Sequence, residues 1–260
     1  MAEGQFRNTP FDMTGRVALI TGAGVGIGRG AALALATAGA TIGVHYNSSD
    51  ADARKTLDEI VGLGGSGFLL QGDLSQEDAA NRVVDQLVAQ AGRLDVVVNN
   101  AGNPLERTSI ENCPTSLWKQ ALDINVTSAF FITRRAIPHL RQGGHGSIIN
   151  NLSLSVQTGG AGGAGPYAAA KGALQVMTRT LSRELAPDVR VNAIMPGVIE
   201  TRHHEVFSTP ERMADYRKQT PLARNGTADE VAQAVLFLAS DASNFMTGAL
   251  IDINGGRFLR

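Results

Sequence analysis

The stretch Val17-Ala-Leu-Ile-Thr-Gly22-Ala-Gly-Val-Gly26-Ile-Gly28 decides the fold of this chain. Its apolar first half ends in a glycine, which is typical of a buried strand. Its second half leads into an alanine-rich segment, residues 29–38, that predicts a helix. A strand, a glycine loop and a helix in this order present backbone N–H groups and a helix N-terminus to a phosphate. The glycines follow G-x-x-x-G-x-G, and no frame of the loop fits the G-x-G-x-x-G fingerprint.

The rest of the chain repeats this alternation of short apolar segments and helical segments. The pattern predicts βαβ units and a parallel sheet with right-handed crossovers. We therefore expect a single α/β domain over residues 13–260, a doubly wound Rossmann-type fold of about seven strands with helices on both faces. The predicted strands are 16–22, 41–47, 67–73, 94–99, 147–153, 189–196 and 249–253, and the predicted helices are 29–38, 50–62, 76–91, 115–141, 166–186 and 228–239.

Other segments are expected to be irregular. Residues 1–12 are polar and predict a flexible N-terminal arm. Residues 157–165 are rich in glycine, which favours a flexible loop. Residues 198–226 form a long polar stretch, and a loop of this length in a compact domain is usually functional, so we expect it to border a substrate pocket. Pro138 is expected to bend or end helix 115–141.

Composition and charge argue against several classes of protein. The 260 residues suffice for the core of one α/β domain, and the net charge of −1 argues against nucleic-acid binding. No apolar run is long enough to span a membrane, and the first residues lack the apolar core of a secretory signal. Cys113 is the only cysteine, so no intrachain disulfide forms and a cytoplasmic location is expected.

The stretch Pro166-Tyr167-Ala-Ala-Ala-Lys171 carries the strongest chemical signal. Tyr167 and Lys171 are four residues apart, so they lie on one helical face, one turn apart. A free tyrosine has a pKa near ~10, and a nearby cation lowers it. A pKa of about 7 requires a stabilisation of the phenolate by about 4 kcal/mol. One exposed lysine does not supply that, whereas a lysine in a partly desolvated cleft, beside a cationic cofactor ring, would. A helix with a half-buried aromatic and a surface lysine is the ordinary structural alternative.

Several motifs in order show a resemblance to a known family. The chain resembles the short-chain dehydrogenase/reductases (SDRs) over about residues 11–256. Each motif is weak alone, and the ordered set is specific. The motifs are Thr21-Gly22-x-x-x-Gly26-Ile27-Gly28, Asp73, Asn99-Asn100-Ala101-Gly102, Asn125, Ser153, Tyr167-x-x-x-Lys171, Asn192 and Pro196-Gly197.

The resemblance implies an enzyme that interconverts a ketone and a secondary alcohol of a small substrate with NAD(P). Tyr167 would be the general acid/base, with Ser153 bonded to the substrate oxygen. Lys171 would lower the pKa of Tyr167 and contact the cofactor ribose, and Asn125 would hold a water that links Lys171 to solvent. The serine assignment leaves an alternative, because Ser153 and Ser155 lie 14 and 12 residues before Tyr167 and the usual spacing falls between them. Counting along the predicted strand favours Ser153.

The resemblance also implies how a cofactor would bind. Asp73 would bond to the adenine, and Asn100, Ala101 and Gly102 would pack on the adenosine ribose. The stretch His45-Tyr46-Asn47-Ser48 ends the second strand without the acid that favours NAD, so we expect NADP, with NAD left possible. No arginine stands at Asn47 to bind a 2′-phosphate. The remaining expected cofactor contacts are Gly22, Gly26, Ile27, Gly28, Leu74, Tyr167, Lys171, Pro196, Gly197, Ile199 and Thr201.

Two alternative functions remain open. The chain is similar to sugar or polyol dehydrogenases and to 3-oxoacyl-carrier-protein reductases. The second group tends to place docking arginines where this chain has Gly143-Gly144-His145 and Pro187-Asp188, which favours a free small substrate. A non-catalytic dinucleotide sensor is the other alternative. Such proteins usually lose the tyrosine or the lysine.

A metal site is not expected. His203 and His204 are adjacent, so their side chains do not face one another on a helix or strand, and no carboxylate spacing supports a site.

The pattern of apolar residues predicts a homo-oligomer. Helices 115–141 and 166–186 are apolar on more than one face, whereas a helix on one sheet face needs a single apolar stripe. A symmetric contact between copies would cover the extra surface. The resemblance implies a homotetramer with these helices in one interface and strand 249–253 in the other.

Overall fold

The structure, a computed structural model, describes residues 6–201 and 208–259. Strands and helices alternate along the chain as the sequence predicts. The first half comprises β1 (Val17–Ile20), α1 (Gly26–Thr37), β2 (Thr41–Tyr46), α2 (Asp50–Gly62), β3 (Ser66–Gln71), α3 (Glu77–Ala91) and β4 (Val96–Asn99). The second half comprises α4 (Thr115–Leu122), a π-helical turn (Asp123–Thr127), α5 (Ser128–Gln142), β5 (Gly146–Asn151), α6 (Ser155–Thr158), α7 (Gly165–Glu184), β6 (Val189–Pro196), β7 (Ile199–Glu200), α8 (Pro210–Lys218), β8 (Gly226–Thr227), α9 (Ala228–Ala239) and β9 (Leu250–Ile253).

Seven strands form one sheet in the order β3-β2-β1-β4-β5-β6-β9, and every neighbouring pair is parallel. The chain runs from β1 outward to β3 and then returns to place β4 on the other side of β1. This reversal of direction opens a crevice at the carboxyl ends of β1 and β4, where ligands bind in sheets of this type. The predicted single α/β domain with a parallel sheet of about seven strands is confirmed.

Both faces of the sheet are covered, which explains why its strands are almost continuously apolar. Ala18 and Ile20 of β1 belong to one core with residues of α1, α2 and α9. Val17 and Leu19, which alternate with them, belong to the second core with residues of α3, α5 and α7. Since each fully buried aliphatic side chain contributes about 1.5–3 kcal/mol, these two layers fix the position of every strand end.

The predicted helix 115–141 is interrupted where the sequence gives no warning. The π-helical turn between α4 and α5 spans residues 123–127, and Pro138 lies inside α5, which continues to Gln142. Pro138 therefore does not end the helix, and a bend at Pro138, the other alternative, stays a prediction. A π-helical turn inserts one extra residue into the helix and frequently marks a functional site.

Two segments expected to be irregular are more ordered than predicted. Between the two described parts of the chain, residues 202–207 lie outside the description, but segment 198–226 contains β7, α8 and β8. The glycine-rich loop begins with the short helix α6. In the N-terminal arm, Phe6 and Phe11 pack against the core with their ring centroids 6.4 Å apart. These contacts concern residues 6–12 alone, and the flexible N-terminal arm over residues 1–12 stays a prediction.

The length and polarity of the helices bear on whether any of them could span a membrane. Within residues 6–201 and 208–259, each helix is too short or too polar to cross a bilayer.

Candidate active site

The carboxyl ends of β1, β4, β5 and β6 open into one cleft of about 700 Å³. The structure brings most of the predicted site residues together here, although they come from five separate stretches of sequence. The predicted residues that line the cleft are Gly22, Gly26, Ile27, Asn100, Ala101, Gly102, Ser153, Tyr167, Lys171, Pro196, Gly197, Ile199 and Thr201.

The glycine loop is shaped for close approach of a ligand to the backbone. Gly22 and Gly26 have φ values of +66° and +56°, which other residues rarely adopt. A Cβ at Gly28 would lie 2.2 Å from the carbonyl oxygen of Gly22, so only glycine fits there. α1 begins at Gly26 and no side chain caps its N-terminus, so its first N–H groups remain for a ligand. These residues fit the phosphates of a dinucleotide.

A buried histidine holds the glycine loop in place. Nδ1 of His45 accepts a hydrogen bond from the Gly22 N–H at 3.1 Å, so its Nε2–H donates to the Gly72 carbonyl at 3.0 Å. Burial lowers the pKa of His45 to about 4, which keeps the ring neutral and its tautomer fixed. His45 therefore connects the loop after β1 to the end of β3.

Amide side chains connect the strand ends that form the floor of the cleft. Asn100 Nδ2 donates to the Thr21 carbonyl at 2.9 Å, and its Oδ1 accepts from Asn151 Nδ2 at 2.9 Å. The Thr21 hydroxyl accepts the N–H groups of Asn100 and Ala101, each at 2.9 Å. β1, β4 and β5 are thereby joined directly at the point where the ligand is expected.

Ser153 and Tyr167 both line the cleft, and the Ser153 hydroxyl acts on the ionisation of the Tyr167 phenol. Ser153 Oγ also accepts the N–H of Ser155 at 3.1 Å, which orients it. Desolvation raises the pKa of Tyr167 to about 12, and the Ser153 hydrogen bond opposes this rise. The protein alone therefore keeps the phenol protonated at neutral pH, as a general acid requires.

Lys171 is 2 % exposed, and its Nζ donates to the main-chain oxygen of Asn151 at 2.7 Å. Its ammonium nitrogen lies 5.8 Å from the centroid of the Tyr167 ring. Desolvation lowers the pKa of Lys171 to about 8, so the side chain remains mostly charged at neutral pH. The predicted lysine-tyrosine pair therefore exists, on one helical face inside a desolvated cleft.

Asn125 lies in the π-helical turn and does not line the cleft with its side chain. Its Oδ1 accepts the N–H of Asn103 at 3.0 Å and its Nδ2 donates to the Asn103 carbonyl at 2.8 Å. Gly102 separates it from the lysine, because a Cβ there would lie 2.6 Å from Asn125 Oδ1 and 3.1 Å from Lys171 Nζ. The side chain of Asn125 thus holds the loop after β4, and a water link to Lys171 stays a prediction.

Two buried polar atoms of the cleft lack a hydrogen-bond partner in the described chain. They are Asn151 Oδ1 and Ser155 Oγ. Leaving a buried polar group unpaired costs about 1–3 kcal/mol, so both atoms favour a ligand in this cleft. Because the Ser153 hydroxyl lowers the pKa of Tyr167 and Ser155 has no such effect, Ser153 is favoured as the serine that holds the substrate oxygen.

Four predicted cofactor residues do not line the cleft. Gly28 lies behind the loop, and Leu74 has its side chain in the core beside α3. Asp73 is exposed and accepts the Ser75 hydroxyl at 2.7 Å, so it forms a local turn rather than a helix cap. Asn47 is exposed just after β2. Because the Leu74 side chain is buried in the core, a contact with the cofactor through its backbone stays a prediction.

Several residues of the cleft carry no sequence motif. Asn151 supplies the oxygen that holds Lys171, and Arg107, Tyr216, Gln219 and Arg257 line the outer part of the cleft. Only the tertiary fold brings the last four together. Across residues 6–201 and 208–259, no group of three or more potential metal ligands occurs. His203 and His204 lie outside the described residues.

Comparison with known proteins agrees with this geometry. The model of a family described as enoyl-(acyl carrier protein) reductase matches residues 22–257. An uncharacterised oxidoreductase of Methylorubrum extorquens is 39 % identical over 94 % of this chain and 98 % of its own length. A solved short-chain type dehydrogenase/reductase from Mycobacterium marinum is 34 % identical, with a TM-score of 0.89 over 96 % of this chain and 98 % of that chain.

A further solved structure shows a bound cofactor. It is a 7α-hydroxysteroid dehydrogenase complexed with NADH and 7-oxo glycochenodeoxycholic acid, 31 % identical, with a TM-score of 0.89 over 95 % of this chain and 96 % of that chain. The chain thus belongs to the short-chain dehydrogenase/reductase family and is an oxidoreductase that works with a nicotinamide dinucleotide.

The buried His45 predicts a pH dependence of stability. Unfolded histidine has a pKa near ~6.5, and the folded value of His45 is about 4. Between these values the unfolded chain binds a proton that the folded chain does not, so the free energy of unfolding falls as the pH drops from about 6.5 to about 4. His45 contributes up to about 3 kcal/mol to this fall.

Denaturant unfolding across this pH range measures the effect. His45→Gln keeps a donor and an acceptor but cannot titrate, so its free energy of unfolding should depend less on pH. His139→Gln, on α5, is the control for replacing a histidine by glutamine. Equal pH slopes for wild type and His45→Gln would contradict the assignment of a buried neutral His45.

Proposed function

We propose that this protein interconverts a carbonyl group and a secondary alcohol of a small free substrate, with Tyr167 as general acid/base. The observation that carries the proposal is the pairing of Tyr167 with Ser153 and Lys171 in the cleft that begins at the glycine loop. A protonated phenol beside a hydroxyl can hold a substrate oxygen by two hydrogen bonds. The cofactor supplies or accepts the hydride.

Tyr167, Ser153 and Lys171 each have a distinct role in the proposed reaction. In reduction, the Tyr167 hydroxyl donates its proton to the substrate oxygen, and Ser153 holds that oxygen in position. The resulting phenolate is stabilised by the Lys171 ammonium, which the Asn151 carbonyl keeps near the ring. In oxidation the same groups act in the opposite direction. Asn100, Ala101 and Gly102 are proposed to pack on the cofactor ribose, and segment 198–226 is proposed to border the substrate.

We favour NADP over NAD as the cofactor. No carboxylate occurs at residues 47–49, next to the end of β2. Asp50, the nearest acid along the chain, is already bonded to the Tyr46 hydroxyl at 2.6 Å and to Arg54 Nε at 2.7 Å. Asn47, Ser48 and Ser49 are exposed and offer neutral donors to a 2′-phosphate. The guanidinium of Arg54 is paired with Asp50, so we do not expect Arg54 to bind the 2′-phosphate.

A charge change at Asn47 tests this cofactor preference. Asn47→Asp places a carboxylate where a 2′-phosphate is expected, so repulsion should lower the ratio of kcat/KM with NADPH to kcat/KM with NADH by tenfold or more. Asn244→Asp, an exposed change elsewhere, should leave the ratio unchanged. If the ratio does not move in Asn47→Asp, Asn47 does not border the cofactor.

A 3-oxoacyl-carrier-protein reductase is the second candidate, because the description of the matching family model names an acyl carrier protein, although an enoyl reductase acts on a carbon–carbon double bond. An acidic carrier protein needs exposed basic residues to dock. Just before β6, at one of the places where carrier-protein reductases tend to have docking arginines, this chain has Asp188, which pairs with Arg141 at 3.7 Å. Before β5, His145 lies 3.7 Å from Asp241. These pairs reduce the positive charge available for docking, so a small free substrate is the better proposal.

We further propose a homotetramer in the cytoplasm. Phe130 on α5 is 42 % exposed and Val176 on α7 is 62 % exposed, and a contact between copies would bury both. Light scattering should give four times the chain mass of 27.3 kDa. A mass of one chain would overturn the proposal.

Removing the hydroxyl of Tyr167 tests the proposed reaction. Tyr167→Phe keeps the ring and removes the proton, so turnover should fall by about 10² or more while cofactor binding persists. Turnover within fivefold of the wild type would reject the general acid/base role. Ser153→Ala should lose more turnover than Ser155→Ala, since Ser153, and not Ser155, affects the pKa of Tyr167.

A further inference from the structure

Two arginines in the outer part of the cleft have no carboxylate partner among the described residues. Arg107 and Arg257 line the cleft, and both are partly buried. No carboxylate of residues 6–201 or 208–259 pairs with either one. Nine other arginines of the same ranges do form such ion pairs. A partly desolvated cation without a counter-charge is costly, which indicates an anionic partner from outside the described chain.

Arg107 is fixed next to the helix that carries Tyr167. Its Nη1 donates to the Gly162 carbonyl at 3.1 Å, and the neighbouring Thr108 N–H donates to the Gly163 carbonyl at 2.9 Å. α7 begins two residues later, at Gly165. A guanidinium has five N–H donors, so one bond to Gly162 leaves the other four donors of Arg107 for a ligand. The backbone of the glycine-rich loop thus orients Arg107, and its remaining N–H groups can bind a ligand.

Arg257 is fixed to α8 from the opposite end of the sequence. Its guanidinium carbon lies 4.5 Å from the centroid of the Tyr216 ring, and its Nη2 donates to Gln219 Oε1 at 2.7 Å. Burial lowers the pKa of Arg257, but a guanidinium remains charged at neutral pH. Stacking and one hydrogen bond orient a planar group that binds carboxylates and phosphates through two parallel bonds.

The charge of the whole cleft points in the same direction. Arg107, Lys171 and Arg257 are cations, and none of the described residues that line the cleft is Asp or Glu. The chain as a whole has a net charge of −1, so the positive charge of the cleft is a local property. Such a cleft attracts anions. The two arginines are attached to Gly162 and to α8 rather than to the β1–α1 loop, which already offers N–H groups to the cofactor phosphates.

We propose that the substrate carries an oxyanion, a carboxylate or a phosphate, which Arg107 and Arg257 bind while its carbonyl or alcohol carbon lies at Tyr167. This inference rests on the proposed carbonyl-alcohol function and adds the chemical class of the substrate to it. The expected substrates are therefore oxo acids, hydroxy acids or phosphorylated carbonyl compounds rather than neutral ketones.

Matched pairs of compounds test the inference on the full chain with NADPH. Oxo acids are compared with their methyl esters, and dihydroxyacetone phosphate with dihydroxyacetone, so that the carboxylate and phosphate arms are read separately. We expect kcat/KM for the anionic member to exceed that for the neutral member by roughly tenfold or more in at least one arm, the scale of one charge-assisted hydrogen bond. Arg107→Met and Arg257→Met should each reduce this preference.

Arg217→Met is the matched control, because Arg217 lies on α8 but pairs with Glu200 at 4.0 Å. It should keep the preference for the anion. The thermal shift produced by each compound with NADPH bound gives a second measurement that does not depend on turnover. Anions should stabilise the wild type more than their neutral partners do, and less so in Arg107→Met and Arg257→Met.

The possible results separate the inference from the proposed function. Equal preference for both members of every pair, or a preference that survives both arginine variants, would overturn the inference while the reductase activity stands. Failure of every anion to be bound or reduced would also overturn it. Binding of anions through both arginines without any turnover would support the anion site and contradict the proposed reaction.

Discussion

The structure of the active site depends on the burial of one charge. Lys171 is 2 % exposed, and the Asn151 main-chain oxygen at 2.7 Å is its hydrogen-bond acceptor in the described chain. A buried ammonium is stable only if an acceptor is fixed in place. β5 supplies that acceptor, and the Asn151 side chain ties its end to Asn100 after β4. Gly102 has no side chain, which leaves room for the ammonium beside it.

The parallel sheet explains why these groups meet. All the strand ends that carry polar residues open on the same edge, and the reversal of strand order between β1 and β4 leaves that edge accessible. Neutral amides and the neutral His45 hold the loops without adding charge. The fixed cations at Lys171, Arg107 and Arg257 then set the electrostatic character of the cleft. Stability of the fold and the proposed selectivity for an anion thus come from different residues.

The sequence predicts whatever follows from local spacing. The glycine loop before α1 depends on the spacing of neighbouring glycines. The helical face shared by Tyr167 and Lys171 depends on residues four positions apart. Both are therefore predictable from local sequence. The π-helical turn at Asn125 has no such pattern, because it packs against α7, which lies far along the chain. Arg107 and Arg257 were not predicted as site residues for a related reason. They are 150 positions apart in the sequence, and only the closed fold places both in one cleft.

The central claim is that Tyr167 ionises only with help from positive charge in a desolvated cleft, and its phenol pKa tests this directly. The chain has three tyrosines, so ¹³C NMR with labelled tyrosine rings can follow each one. In the protein alone, the pKa of Tyr167 should lie near 12. Saturation with NADP⁺ should lower it by about 2 units or more, since a nearby cation favours the phenolate, and Lys171→Met should abolish most of this fall. A Tyr167 pKa that is the same with and without NADP⁺ would contradict the account.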